Sequence, residues 1–319
     1  MLAKSSGHRR GKPTSLRSMP TLCGFFPMFQ DFEIRNSNQL TLDMSHVQRV
    51  DAVGLTIFAS NLLHAIGERE LRDVKLHYPT DKRTTHQMHN LAVPAILGRN
   101  GLLDPQSDLW ANRDFGTDES IKGTAQCLIE IRNIGATGRD RQLHVARSQL
   151  KTFFAQNGGW FVNQSQIILM LMEMIKNTLD HTNHNALLGI TINFNGDNPT
   201  CLEFAYCEQG PGLSQILREA LRDIFPSRAK KASFADLIHW ALRAGNSTKR
   251  GNGVNHGIGL TMITQGARSL GMALSMIDAQ SMVSLAHLPT EPAHTTVRSA
   301  ISKVARQGCF TYVGSKSYD

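Results

Sequence analysis

Residues 168–182, ILMLMEMIKNTLDHT, combine an apolar helical pattern with Glu173, Asn177, Asp180 and His181. Counted from Glu173, the other three follow after four, seven and eight residues, which places all four on one side of a helix. A buried helix seldom aligns four polar side chains unless something polar sits opposite them. Two glycine-bearing segments lie further along the chain. Residues 208–212, EQGPG, directly follow an apolar strand pattern, and residues 251–260, GNGVNHGIGL, directly precede a helical one. Glycines at a helix start let the backbone approach an anion closely, and the free N–H groups and the helix dipole then favour phosphate. A lone glycine loop is common by chance. Three polar motifs in order, each at the end of an element, are far more specific.

The elements that must position these residues fall into two regions. The first spans residues 31–104. DFEIRN and QLTLDMS alternate as half-buried strands do, DAVGLTIFASNLLHAIGE is an amphipathic helix, DVKLHYP is a short strand ended by Pro79, and TTHQMHNLAVPAILG reads as a helix interrupted near Pro94. Residues 105–124 are polar and read as a linker. The second region, residues 125–305, begins with the strand CLIEIRNI and a helix over 140–157, followed by the polar-faced helix. LLGITINF and CLEFAYCE are strands joined by the turn NGDNPT. GLSQILREAL, FADLIHWALRAG and GIGLTMITQGARSLG read as helices, and ALSMIDAQ, SMVSLAHL and TTVRSAISK as closing strands. The expected fold class is α/β, with a mixed sheet covered by helices on one face. Residues 1–30 form a flexible basic tail and residues 306–319 a C-terminal tail.

The chain has 319 residues, 41% of them hydrophobic, and a formal net charge of +8. No apolar run approaches the ~20 residues that span a bilayer. Five scattered cysteines make no CxxC pair or zinc spacing, and thirteen histidines form no HExxH pattern, which points to reduced thiols in a cytoplasmic protein. Lys4, Arg9, Arg10, Lys12 and Arg17 account for part of the positive charge; a transit peptide has such a composition, and so does any disordered start. The basic excess favours anionic partners. Without a basic stretch interleaved with aromatics, nucleic acid is not favoured among them.

The three motifs resemble the N, G1 and G2 boxes of the GHKL ATPase superfamily, which includes gyrase B, MutL, histidine kinases and anti-sigma-factor kinases. The resemblance covers roughly residues 128–302 and implies a Bergerat-type fold that binds ATP and Mg²⁺. On it, Asn177 is the Mg²⁺ ligand and Glu173 the general base for the attacking water or hydroxyl. Asp180 and His181 continue that face toward ribose and phosphates. Gly210 and Gly212 let the chain turn beneath the adenine, whose amine is bonded by the carboxylate of Glu208. Gly257, Ile258, Gly259 and Leu260 open a helix onto the phosphates. Residues 225–256 are the ATP lid, Lys249 and Arg250 are candidates for the γ-phosphate, and Thr295 or Thr296 supports the adenine-site carboxylate from the last strand. The sequence departs from the pattern at Glu208, where the superfamily has Asp; Glu is one methylene longer and must retract or displace a water.

The first region resembles a STAS domain, the fold of anti-sigma-factor antagonists, through LDMS (Leu42, Asp43, Ser45) and DAVG (Asp51, Ala52, Val53, Gly54). Ala52 stands where the antagonists carry a phosphorylated serine, so control by phosphorylation there is not expected, and the loop remains a docking surface. Together the resemblances imply a bacterial-type, slow ATPase or nucleotide-dependent switch coupled to a STAS-like module, read by a protein partner or by a homodimer formed on ATP binding. Two alternatives remain open: a serine/threonine kinase of anti-sigma-factor type, and a non-catalytic interaction module that nucleotide stabilises.

Overall fold

The computed structural model describes residues 14–16, 39–45, 47–69, 73–99, 123–132, 135–157, 163–181, 184–210, 212–243, 259–278, 281–286 and 309–317. Six strands form one sheet: β5 (Thr124–Ile131), β6 (Ala186–Asn195), β7 (Asn198–Gln209), β8 (Ala273–Asp278), β9 (Ser281–Ala286) and β10 (Cys309–Ser317). Their order is β5-β6-β7-β10-β8-β9.

Every pairing in this sheet is antiparallel, which corrects the expected mixed sheet. The cause is β10. Strands β7 and β8 run the same way, as strands joined by a long helical crossover do. They do not pair, because β10 stands between them and is antiparallel to both. The expected C-terminal tail from residue 306 is corrected by the same strand: Cys309–Ser317 lies inside the sheet.

Strand alternation sends Ala186, Leu188, Ile190 and Ile192 of β6 to one face. That face is covered by α4 (Arg139–Asn157), α5 (Gln164–His181), α6 (Leu213–Arg222), α7 (Pro226–Lys231), α8 (Phe234–Ala241) and α9 (Gly259–Ser269), which share one apolar core with the sheet. The first half of the expected lid is corrected here. Ala229 of α7 and Phe234, Leu237, Ile238 and Trp240 of α8 are buried in that core, so 226–241 is a packed pair of helices.

The other face is not open, as helices on one side alone would leave it. Helix α1 (Ala52–Arg69) lies on β6 and β7. Leu187 of β6 joins Ala52, Leu55, Phe58 and Leu62 of α1 in a second core, with Leu128 of β5 packed against it. On its far side α1 meets β3 (Val47–Val50), α2 (Lys82–Asn90) and α3 (Val93–Arg99) through Val47, Val50, Met88, Ile96 and Leu97. The helix is therefore buried on both sides, and each fully buried Leu or Phe contributes about 2 kcal/mol of transfer free energy.

Around α1 the first region contains β1 (Thr14–Leu16), which pairs in parallel with β3, and β2 (Gln39–Asp43), which pairs in parallel with β4 (Asp73–His77). Thr14–Leu16 falls inside the expected flexible tail and corrects it for those three residues; β3 offers backbone donors and acceptors that a neighbouring strand satisfies. Asp51 starts α1 by accepting from the Gly54 N–H at 2.7 Å. The break expected near Pro94 falls at Ala92, whose φ is 54°, and Pro94 sits in the first turn of α3 where its missing N–H costs nothing. Among the described residues no helix is long and apolar enough to cross a membrane, and Cys127, Cys201 and Cys207 are free thiols.

Helix α1 approaches the sheet over Gly189. A Cβ there would stand 2.1 Å from Thr56 Oγ1 and 2.2 Å from the Ala52 carbonyl oxygen. Gly189→Val is expected to lower unfolding free energy by about 3 kcal/mol, the upper end for overpacking, because the obstacle is helix backbone. Denaturant unfolding checks this; a loss below about 1 kcal/mol would show that α1 rides loosely on the sheet.

Candidate functional site

Helix α5 buries Ile167, Met170, Leu171, Met174, Ile175 and Thr178 and leaves Glu173, Lys176 and Asn177 partly exposed. It is tied to the sheet by Tyr206 of β7, whose hydroxyl donates to Thr178 Oγ1 at 2.5 Å. Burial, and then the negative charge of Glu208, push the Tyr206 hydroxyl well above its ordinary range, so it remains a donor. The same charge adds to burial in raising Tyr312 of β10. Strand alternation puts Glu208, two residues after Tyr206, on the α5 side of the sheet.

Helix α9 packs along α5. Gly266 lies over Met170, with a Cβ position 3.5 Å from its side chain, and Gln166 of α5 donates to Ser269 of α9. At the other end Gly259, the first residue of α9, meets Asn177: a Cβ would stand 2.8 Å from Oδ1 and 3.2 Å from Nδ2. The amide of the polar helix face and the glycine-opened helix start, 82 residues apart in sequence (259 − 177), are therefore in contact. Leu260 follows and packs against the core.

The third segment ends β7. Glu208 pairs with Ala186 on one side and Phe310 on the other. A Cβ on Gly210 would stand 3.2 Å from the His184 ring. Gly212 has a φ of 83° and is the N-cap of α6; a Cβ there would stand 2.7 Å from Asp278 Oδ1. Asp278, the last residue of β8, accepts from the Ser214 N–H. Burial pushes its carboxyl above the ordinary range, while the bond from Ser214 pulls the other way.

Two expected roles meet different surroundings. Asp180 is bridged to Arg139 at 2.5 Å, its side chain only 6% exposed, so a protein cation already holds it. Glu173 Oε2 lies 4.0 Å from Lys176 Nζ on the same face. Lys249, Arg250, Gly257, Ile258, Thr295 and Thr296 lie outside the described residues, and His181 ends α5 with only its backbone described. On its β10 side Glu208 is paired in register with Phe310, whereas the support expected from Thr295 or Thr296 lies outside the described residues.

Sequence reasoning missed Asp278, Arg139 and His184. Only Asp278 carried a signal: it is a carboxylate closing an apolar strand, as Glu208 is. Among the described residues no group of three or more His, Cys, Asp or Glu side chains could hold a metal. A Mg²⁺ ion needs few protein ligands because it keeps its waters. Asn177 Oδ1, in a cradle that a Cβ on Gly259 would fill, fits that requirement.

Compared with known protein families and with characterised proteins, the sequence matches none. The functional reading rests on these residues and their placement.

Removing Arg139 strands the Asp180 carboxylate. Because Arg139 is 35% exposed, Arg139→Ala is expected to cost about 2 kcal/mol, below the figure for a fully buried pair. Unfolding of Arg139→Ala, Asp180→Asn and the double variant checks it: the double variant should cost clearly less than the sum, and plain additivity would mean that the pair contributes nothing.

Proposed function

We propose that this chain binds ATP with Mg²⁺ at a GHKL-type site and acts as a slow ATPase or nucleotide-dependent switch, coupled to the STAS-like module that contains α1. The observation that carries the reading is the contact between Asn177 and Gly259. It joins a hard oxygen ligand to a helix start whose N–H groups favour phosphate, which is how a metal–triphosphate would be held from two sides. Glu208, on the α5 side of the sheet, supplies the acceptor for the base. The sheet packed against α1 on its other face supports the pairing of a STAS-like module with this domain.

When bound, Mg²⁺ neutralises phosphate charge. The chain's own residues do the rest. Asn177 orients the phosphates, the first turn of α9 receives them, and Glu173, one turn before Asn177, aligns an attacking water and takes its proton. Lys176 beside Glu173 adds a cation to the same face.

One observation favours a second reading, a nucleotide-stabilised interaction module without turnover. Asp180, one of the four aligned polar residues, is already held by Arg139 and is less free for a ligand.

Calorimetric titration with a non-hydrolysable ATP analogue and Mg²⁺ separates the outcomes. Saturable binding is expected, weakened by about tenfold or more in Asn177→Ala. Glu173→Ala should keep that binding and reduce phosphate release by about 10²-fold. Binding with no release of phosphate in the unaltered protein selects the second reading. No binding at all removes both.

A further inference from the structure

We infer that Gln126, Thr191 and Glu203 form a buried site for a monovalent cation between the sheet and α1. The three residues stand side by side on adjacent strands: Gln126 of β5 pairs with Thr191 of β6, and Thr191 pairs with Glu203 of β7. All three lie on the face that α1 covers. Thr191 is two residues beyond Gly189, over which α1 begins. The residues paired with Gly189 are Leu128, two beyond Gln126, and Ala205, two beyond Glu203.

A sheet face under a helix is ordinarily apolar, as Leu128, Gly189 and Ala205 are in the neighbouring row. Valine at 191 would fill the space of threonine without a polar group. The row instead brings together an amide, a hydroxyl and a carboxylate. Thr191 is 2% exposed and Glu203 7%. Thr191 Oγ1 and Gln126 Oε1 are buried and meet no hydrogen-bond partner among the described residues. Buried polar atoms are ordinarily paired, so two such oxygens on neighbouring strands point to a third body that both of them hold. Directly opposed residues keep their Cβ atoms about 5 Å apart, which sets Gln126 and Glu203 about 10 Å from each other with Thr191 midway. Both are long enough for their head groups to meet above the shorter threonine.

The donor set decides the class of ligand. Each of the three groups offers an oxygen lone pair, which is what a hard cation takes. Ca²⁺ takes about six to eight oxygens, often from several carboxylates, and Mg²⁺ keeps a shell of waters. A row of three side chains with one carboxylate balances a single positive charge, that of Na⁺ or K⁺. The charge of Glu203 is felt locally: after burial, it is what raises the Cys201 thiol, two residues before it on β7. The site lies on the opposite face of the sheet from Asn177 and Gly259, so the inference does not rest on the nucleotide reading. A cation held here would join β5, β6 and β7 beneath α1, which makes stability the readout.

The test is thermal unfolding of the full chain, without nucleotide or Mg²⁺, in the chlorides of Na⁺, K⁺ and choline at one ionic strength. Na⁺ or K⁺ is expected to raise the midpoint over choline by about 3 °C, saturably, the shift given by a site filled at roughly ten times its dissociation constant. The larger of the two rises names the ion. Thr191→Val removes one oxygen and keeps the shape; it is expected to bring the difference between salts below about 1 °C. Gln126→Met keeps the length and removes the amide oxygen. It is expected to lose the difference as well, and it carries the test if Thr191→Val does not fold. Asn177→Ala should keep the full difference. Equal midpoints of the unaltered protein in all three salts overturn the inference and leave the row to a bridging water, which responds to no cation. A difference that survives in Thr191→Val and Gln126→Met, or that vanishes in Asn177→Ala, puts the ion elsewhere and overturns it too.

Discussion

Helix α1 rests on the sheet with the Ala52 carbonyl and the Thr56 hydroxyl in the space that a side chain on Gly189 would need. An antiparallel sheet can leave one face to water, but β6 is apolar on both, with Leu187 on the α1 side and Leu188 and Ile190 on the other. Something must cover the second face, and a helix that begins over a glycine comes closer than one that must clear a Cβ. Residues 52–60 of α1 are buried between that face and the core on its far side. Asp51, Ala52 and Val53, the loop and first turn that resemble an antagonist's docking surface, are buried within the chain. The two regions that read as separate domains meet across one shared helix.

On the opposite face the same strands hold the candidate site. Tyr206 bonds to Thr178 from β7, and two residues further along the same strand stands Glu208, next to its last residue. The helix that carries Glu173 and Asn177 is therefore set by a strand that α1 supports from behind. This is a chain of direct contacts: α1 on β6 and β7, β7 to α5 through Tyr206, and α5 to α9 through Asn177 and Gly259. Contact alone does not establish that movement at one end reaches the other. It names the contacts through which any such effect would have to pass.

Much of this was legible in the sequence because it depends on local periodicity. Helices α5 and α9, strands β6 and β7 and the hairpin at Gly196 follow from apolar spacing and turn chemistry. What was not legible depends on long-range pairing. FTYV in β10 is rich in β-branched and aromatic residues, yet its place near the end of the sequence suggested a tail, and its position between β7 and β8 is encoded by no local pattern. Strand β3, VQRV, is too short and too interrupted by charge to stand out. In the site, the meeting of Asn177 with Gly259 accords with the order of the motifs, whereas the Arg139–Asp180 pair joins two helix ends whose separation no spacing rule predicts.

What a glycine would meet separates motif from packing. Gly189 faces helix backbone whose Ala52 carbonyl is already bonded by the Thr56 hydroxyl, and Gly314 faces the Phe204 ring, so both are small because a neighbouring layer closes over them. Gly259 and Gly212 instead face an amide and a carboxylate. A packing glycine beside a polar group is a poor solution, since the space it saves goes to a group that prefers water or a partner. It becomes a good one where backbone N–H groups must come near that polar group, or near something the group holds. Gly212 satisfies the first condition within the protein, because the Ser214 N–H reaches Asp278. Gly259 opens a helix against the Asn177 amide of the polar face. That difference, more than the spelling of the motifs, separates Gly259 and Gly212 from the glycines that serve packing alone.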